Sequence, residues 1–168
     1  MHTTVFRTLV GLAAIVIGAL LPATAAAQFQ GFMKIPGLDG EATAEGHEKE
    51  IELVSYTQTV GTGACFKASV IKNLDKASPG LAVLAVTNQA VSPVTVFLTT
   101  PDQDRLFNVF TVVLETATVA NLELVEVDGG PTPTERVTLR ARRVTLTYRP
   151  RDSAGHELPP VTTVLTCP

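Results

Sequence analysis

From Gln30 onward the chain is a succession of short runs rich in Val, Thr, Leu and Phe, each cut off by Gly, Pro or Asp. β-Branched and aromatic side chains suit a pleated, half-buried surface, so runs of this length and spacing predict an all-β domain. Strands are expected at residues 30–35, 50–60, 65–71, 94–99, 106–114, 119–127, 136–148 and 161–166. Pro36-Gly37-Leu38-Asp39-Gly40 ends the first, Gly61-Thr62-Gly63 the second, and Thr100-Pro101-Asp102, Asp128-Gly129-Gly130-Pro131 and Asp152-Ser153-Ala154-Gly155 supply later turns. Gly61-Thr62-Gly63 is read as a turn rather than a phosphate cradle, because Phe66 stands where a dinucleotide fingerprint needs its third glycine.

The longest run carries an irregularity. Val137, Leu139 and Ala141 alternate at odd positions, whereas Val144, Leu146 and Tyr148 alternate at even ones. A one-residue slip exchanges the faces of a strand, so a bulge at Arg142-Arg143 is expected to keep both sets inward. The chain changes character at Asp75-Lys76-Ala77-Ser78-Pro79. Ser78 as N-cap and Pro79 at the first helical position predict one short helix over about 79–89, with Leu81, Leu84 and Ala85 on its packing face.

Ahead of this domain, residues 1–27 read as an export signal. Arg7 supplies the charge, Leu9 to Leu21 is apolar or small throughout, and Ala25-Ala26-Ala27 offers the small side chains that signal peptidase accepts. A membrane span needs about 20 apolar residues, so cleavage before Gln28 and no stable span in the mature chain are expected. The mature part, 28–168, has the length of one domain. Its net charge is negative, since the whole chain stands at −3 and Arg7 leaves with the signal, which argues against nucleic-acid binding.

An exported chain meets an oxidising compartment, where its two cysteines, Cys65 and Cys167, are expected to pair. The loop closed would be about 100 residues, for which chain entropy gives roughly 4 to 5 kcal/mol. Two free thiols are the alternative. Metal binding fits poorly, because neither His47 nor His156 lies at zinc-ligand spacing from a cysteine. No cofactor motif is present.

Catalytic constellations are equally sparse. Gly-x-Ser-x-Gly is absent; Ser153 and His156 share a polar turn, and Asp102-Gln103-Asp104 and Glu48 to Glu52 read as solvated faces. Arg136, Arg140, Arg142, Arg143, Arg149 and Arg151 could grip anions or polymer, but Glu115, Glu123, Glu126 and Glu135 lie on neighbouring strands and turns, so cross-strand or intersubunit pairing is the simpler expectation. No catalytic, cofactor-binding or metal residue is assigned.

Gly31-Phe32-Met33-Lys34-Ile35, then Gly37, Gly40-Glu41, His47 and Ile51-Glu52-Leu53-Val54-Ser55-Tyr56, resemble the opening of the hemolysin-coregulated protein (Hcp) family, which forms the inner tube of the type VI secretion system. Leu74-Asp75-Lys76-Ala77-Ser78-Pro79-Gly80-Leu81 resembles that family's Leu-Asp-Lys-x-Ser-Pro segment. Pro133-Thr134-Glu135-Arg136-Val137-Thr138-Leu139, and Val144 to Pro150 with Gly155, resemble its late Glu-x-Val strand pair and tail. The resemblance runs from Gly31 to about Val164. It implies a compact β-barrel of two sheets with one flanking helix, a non-enzymatic role, a six-subunit ring that stacks into tubes, and partners among spike, sheath and effector proteins. Typical members lack a cleavable signal; this chain departs from them in carrying one, and by it is expected to be exported, to the periplasm or beyond. The rival expectation is a monomeric or weakly associating exported module that binds a peptide, effector or envelope component. A small hydrolase using Ser153 and His156 is the third.

Overall fold

The computed structural model describes residues 30–61, 65–102, 105–125 and 132–167. The expected export segment, the turn at 128–131, and Gln103, Asp104 and Glu126 lie outside them. Ten strands and one helix follow in the order β1 (Gln30–Lys34), β2 (Ile51–Leu53), β3 (Ser55–Gly61), β4 (Cys65–Asn73), α1 (Ser78–Thr87), β5 (Val94–Asp102), β6 (Arg105–Glu115), β7 (Thr118–Val125), β8 (Thr134–Ala141), β9 (Arg143–Tyr148) and β10 (Val161–Thr166). They build two antiparallel sheets, one ordered β10-β9-β6-β5-β1-β2 and the other β3-β4-β8-β7. The mainly β reading with one helix holds, but among the described residues neither sheet closes on itself as a barrel.

The sheets are joined by corners in the chain. The run read as one strand at 50–60 is divided at Val54, whose N–H reaches the carbonyl of Ile71 in the second sheet at 2.7 Å. The irregularity expected at Arg142-Arg143 is real, but it is a bend rather than a bulge: Arg142 lies between β8 and β9. Opposite it, β6 and β7 break at Thr116 and Ala117. Thr118 pairs with Arg140 and Glu115 with Arg143, so three steps on one strand match three on the other and no residue is inserted. One long hairpin therefore folds over, half in each sheet. Ala141 and Val144 point inward on either side of the bend while Arg142 and Arg143 point out, which is how the parity changes.

Between the sheets lies the core. Met33, Ile51, Val94, Val96, Val112, Leu114 and Val144 face Phe66, Ala68, Val70, Val119, Val137 and Leu139, and Leu81 and Leu84 of α1 pack against the same cluster. Ser78 does not cap α1: the cap position is Ala77, without a side-chain bond, and Ser78 begins the helix. Asn88 ends the helix in the left-handed conformation at φ 50°, which asparagine tolerates better than most residues. The expected turn at Thr100-Pro101-Asp102 is strand instead. Pro101 pairs with Leu106, beyond the last β1 partner at Thr99, so its missing N–H removes no bond to β1.

Gly40 is pressed against the backbone of Glu50 and Ile51, where an added Cβ would overlap the Glu50 carbonyl. Both partners are main chain and cannot swing away. Gly40→Ala is expected to lower stability by about 1–3 kcal/mol, read as a fall in the urea midpoint; an unchanged midpoint would show that the 40–50 loop relaxes freely.

Candidate functional site

Along β4 the inward side chains are Phe66, Ala68 and Val70, and the next inward position is Lys72. On β8 the inward set Val137, Leu139 and Ala141 is preceded by Glu135, which lies directly opposite Lys72 in the ladder. Lys72 is fully buried. Its ammonium donates to Glu135 Oε1 and Asp75 Oδ1, each at 2.8 Å, to the Asn73 carbonyl at 2.8 Å and to Ser78 Oγ at 3.1 Å. Ser78 Oγ also donates to Glu135 Oε1 at 2.8 Å, and Asp75 Oδ1 accepts the Ala77 N–H at 2.9 Å. Burying a charge is costly unless it is paired and its remaining hydrogens are satisfied, and both conditions are met here. The residues that looked like a helix start, Asp75 and Ser78, thus serve to dock α1 onto a buried lysine.

The loop around His47 folds back to cover the sheet. His47 is buried, stacked on Phe32 at 4.4 Å between ring centroids and edge-on to Phe97 at 5.0 Å. Its Nδ1 lies 2.8 Å from Glu50 Oε2. Phe32 and Phe97 are cross-strand partners on the face turned away from the core, so this loop shields part of the outer face of the six-stranded sheet. Further across that face, register brings Phe97, Thr111, Thr147 and Thr162 into one row and Thr95, Val113, Thr145 and Val164 into another. The hydroxyls of Thr147 and Thr162 lie 3.2 Å apart. These two rows form a threonine-rich strip, bordered by Lys34 beside Thr95 and by the Arg149 guanidinium at Thr111.

Two of the six arginines make the expected cross-strand pairs. Arg136 reaches Glu123 and Arg143 reaches Glu115 across strands, at 2.6 and 3.1 Å. Arg149 donates to Thr111 Oγ1 at 3.1 Å. Glu135 departs from that expectation, since its partner is Lys72 and not an arginine. Arg151 lies over the Phe107 ring at 3.7 Å and pairs with Asp102 at 2.8 Å. The Arg151 hydrogen bond holds the Asp102 carboxyl below the usual aspartate range. Beside this pair Arg105, Leu106, Phe107, Asn108, Arg149 and Glu157 line a shallow open cleft.

The residues weighed for catalysis do not converge. His156 turns to Asp152, with Nδ1 at 3.0 Å from Oδ2, and Asp152 also accepts the N–H groups of Ala154 and His156. Those bonds, the His156 backbone N–H foremost, hold the Asp152 carboxyl low and make the segment a capped turn. Glu48 is exposed, and Glu50 belongs to the His47 contact. Among the described residues no group of His, Cys, Asp or Glu could hold a metal ion, and no helix is long and apolar enough to cross a membrane.

The profile of a family described as "Type VI secretion system effector, Hcp" matches residues 32–148. No curated protein matches the chain. Solved structures share its fold: one titled as a type six secretion system protein, at 23% identity and TM-score 0.73, covers 83% of this chain and 96% of its own. Hcp1 of Salmonella typhimurium, at 20% identity and TM-score 0.71, covers 84% and 95%. The secreted protein Hcp3 of Pseudomonas aeruginosa, at 18% identity and TM-score 0.67, covers 84% and 99%.

Removing Lys72 would strand Glu135 and Asp75 as buried, uncompensated carboxylates. Lys72→Met is expected to cost about 3–5 kcal/mol in urea denaturation, and the pair Lys72→Met with Glu135→Leu less than the sum of the two singles. Additive losses would mean that the two do not interact. For Asp102 the sign follows from its lowered folded value: its contribution is present above the ordinary aspartate pKa of about 4 and is lost as pH falls through the folded value. Asp102→Asn should therefore flatten the acid limb of the stability–pH curve below about pH 4, and an unaltered limb would refute the coupling to Arg151.

Proposed function

The chain belongs to the Hcp family, the structural tube subunits of type VI secretion, and on that premise we propose that copies of it close into a six-membered ring that stacks into a tube. The family's work is structural and non-enzymatic, and a His156 engaged by Asp152 within one capped turn fits such a role. The observation that carries the ring is the match across 32–148, which takes in α1 and both sheets except β10. A closed ring requires each copy to present two unlike, complementary patches. Surfaces suited to burial are available: α1 exposes Val83 and Val86, the latter at 87%, and β10 carries Val161 and Val164 on an open sheet edge.

In this reading the threonine-rich strip of the six-stranded sheet is the wall that meets cargo. It offers mainly hydroxyls and methyls, with Lys34 and Arg149 as the charges at its border, so a folded effector meets few ion-pairing groups there. Sheath and spike proteins are the further partners. Secretion is the family's route; delivery to the periplasm by residues 1–27 is the part proposed for this chain alone.

Multi-angle light scattering of the purified protein tests the ring, with a mass near six times that of the protomer expected at high concentration. A strict monomer under those conditions would overturn it and favour the monomeric binding module. Co-purification of envelope components without sheath or spike proteins would point the same way.

A further inference from the structure

β10 is a weakly packed element of the fold. None of its six side chains is buried, and among the described residues it pairs on one side only, with β9 from Val161–Tyr148 to Thr166–Arg143. β1, by comparison, buries Gly31, Phe32 and Met33 and is paired on both sides. An edge strand with no side chain in the core is held by its ladder and little else, and such strands open at low free-energy cost.

The corner at Arg142 supplies what packing does not. On the side of the bent β8–β9 strand away from β6 and β7, the β4 ladder runs to Phe66 opposite Ala141, and one further step in that register places Cys65 opposite Arg142. The β10 ladder runs to Thr166 opposite Arg143, and one further step places Cys167 opposite the same Arg142. The Cys167 N–H donates to the Arg142 carbonyl at 2.8 Å, and its Sγ lies 3.9 Å from the Ala141 carbonyl oxygen, beside the Phe66 that follows Cys65. The start of β4 and the end of β10 therefore abut at one residue, each with a cysteine at its tip.

We propose that Cys65 and Cys167 form a disulfide that latches β10 to the four-stranded sheet, and that this bond, more than packing, keeps β10 docked. The two thiols lose two protons and two electrons and the S–S bond forms. The acceptor is the disulfide of an oxidoreductase in the export compartment, which is reduced to two thiols by exchange. In a reducing cytosol the latch is open and β10 is free to leave β9; after export it is closed. This inference is independent of ring formation, since it concerns one chain.

Alkylation followed by intact mass, and hydrogen exchange resolved by peptide, test it on the full chain purified without reductant. Neither cysteine should be alkylated before reduction and both after it. Reduction should speed amide exchange over Val161–Thr166 at least about tenfold while β4 and β8 keep their protection, and Cys167→Ser should behave like the reduced protein with or without reductant. Should that variant fail to fold, the reduced native chain gives the same comparison. Alkylation of both thiols in the unreduced protein would overturn the proposal, as would exchange in β10 that reduction leaves unchanged.

Discussion

A lysine ammonium held in the interior is the constraint around which the rest of this fold is arranged. Lys72 occupies an inward strand position, where water cannot satisfy it, so the protein must bring oxygens to it. Glu135 comes from the neighbouring strand, Asp75 and Ser78 from the turn into α1, and a carbonyl from Asn73. Strand register, the turn and the docking of the helix are thereby tied to one point. A helix whose outer face exposes Val83 and Val86 has little reason of its own to lie in one orientation. The polar anchor supplies orientation, and Leu81 and Leu84 supply the burial.

Much of the fold was legible from the chain. β10 coincides with the expected 161–166, β1 differs by one residue at its end, and the irregularity near Arg142 was visible as a change of parity between Ala141 and Val144. What could not be read there was its form. A parity change says that two neighbours point outward together; whether a residue is inserted depends on the partner strand, and here Thr116 and Ala117 bend in step. Val54 was missed for a related reason. Ile51, Leu53 and the following residues carry one strand pattern unbroken, and the change of sheet depends on Ile71, seventeen residues away.

The functional residues divide in the same way. Asp75, Ser78 and Glu135 stood inside the segments that resemble the family, but a linear motif does not say that the three meet. Lys72 carried the missing signal, because it continues the inward parity of Phe66, Ala68 and Val70. A charged residue in that sequence position, with Glu135 in the equivalent place before Val137, marks a buried pair. His47 had no such signal. Its burial depends on Phe32 and Phe97 meeting across two strands separated by more than sixty residues, and on a loop that doubles back over them.

The folded hairpin of β6 to β9 has a mechanical side. Sheets that touch through side chains alone can slide, since each dispersion contact is weak and readily exchanged for another. Here two adjacent backbones pass from one sheet into the other with their pairing register preserved across the bend. Shear applied to either sheet is carried into its neighbour along covalent chain and paired strands, so the two layers deform as one elastic body.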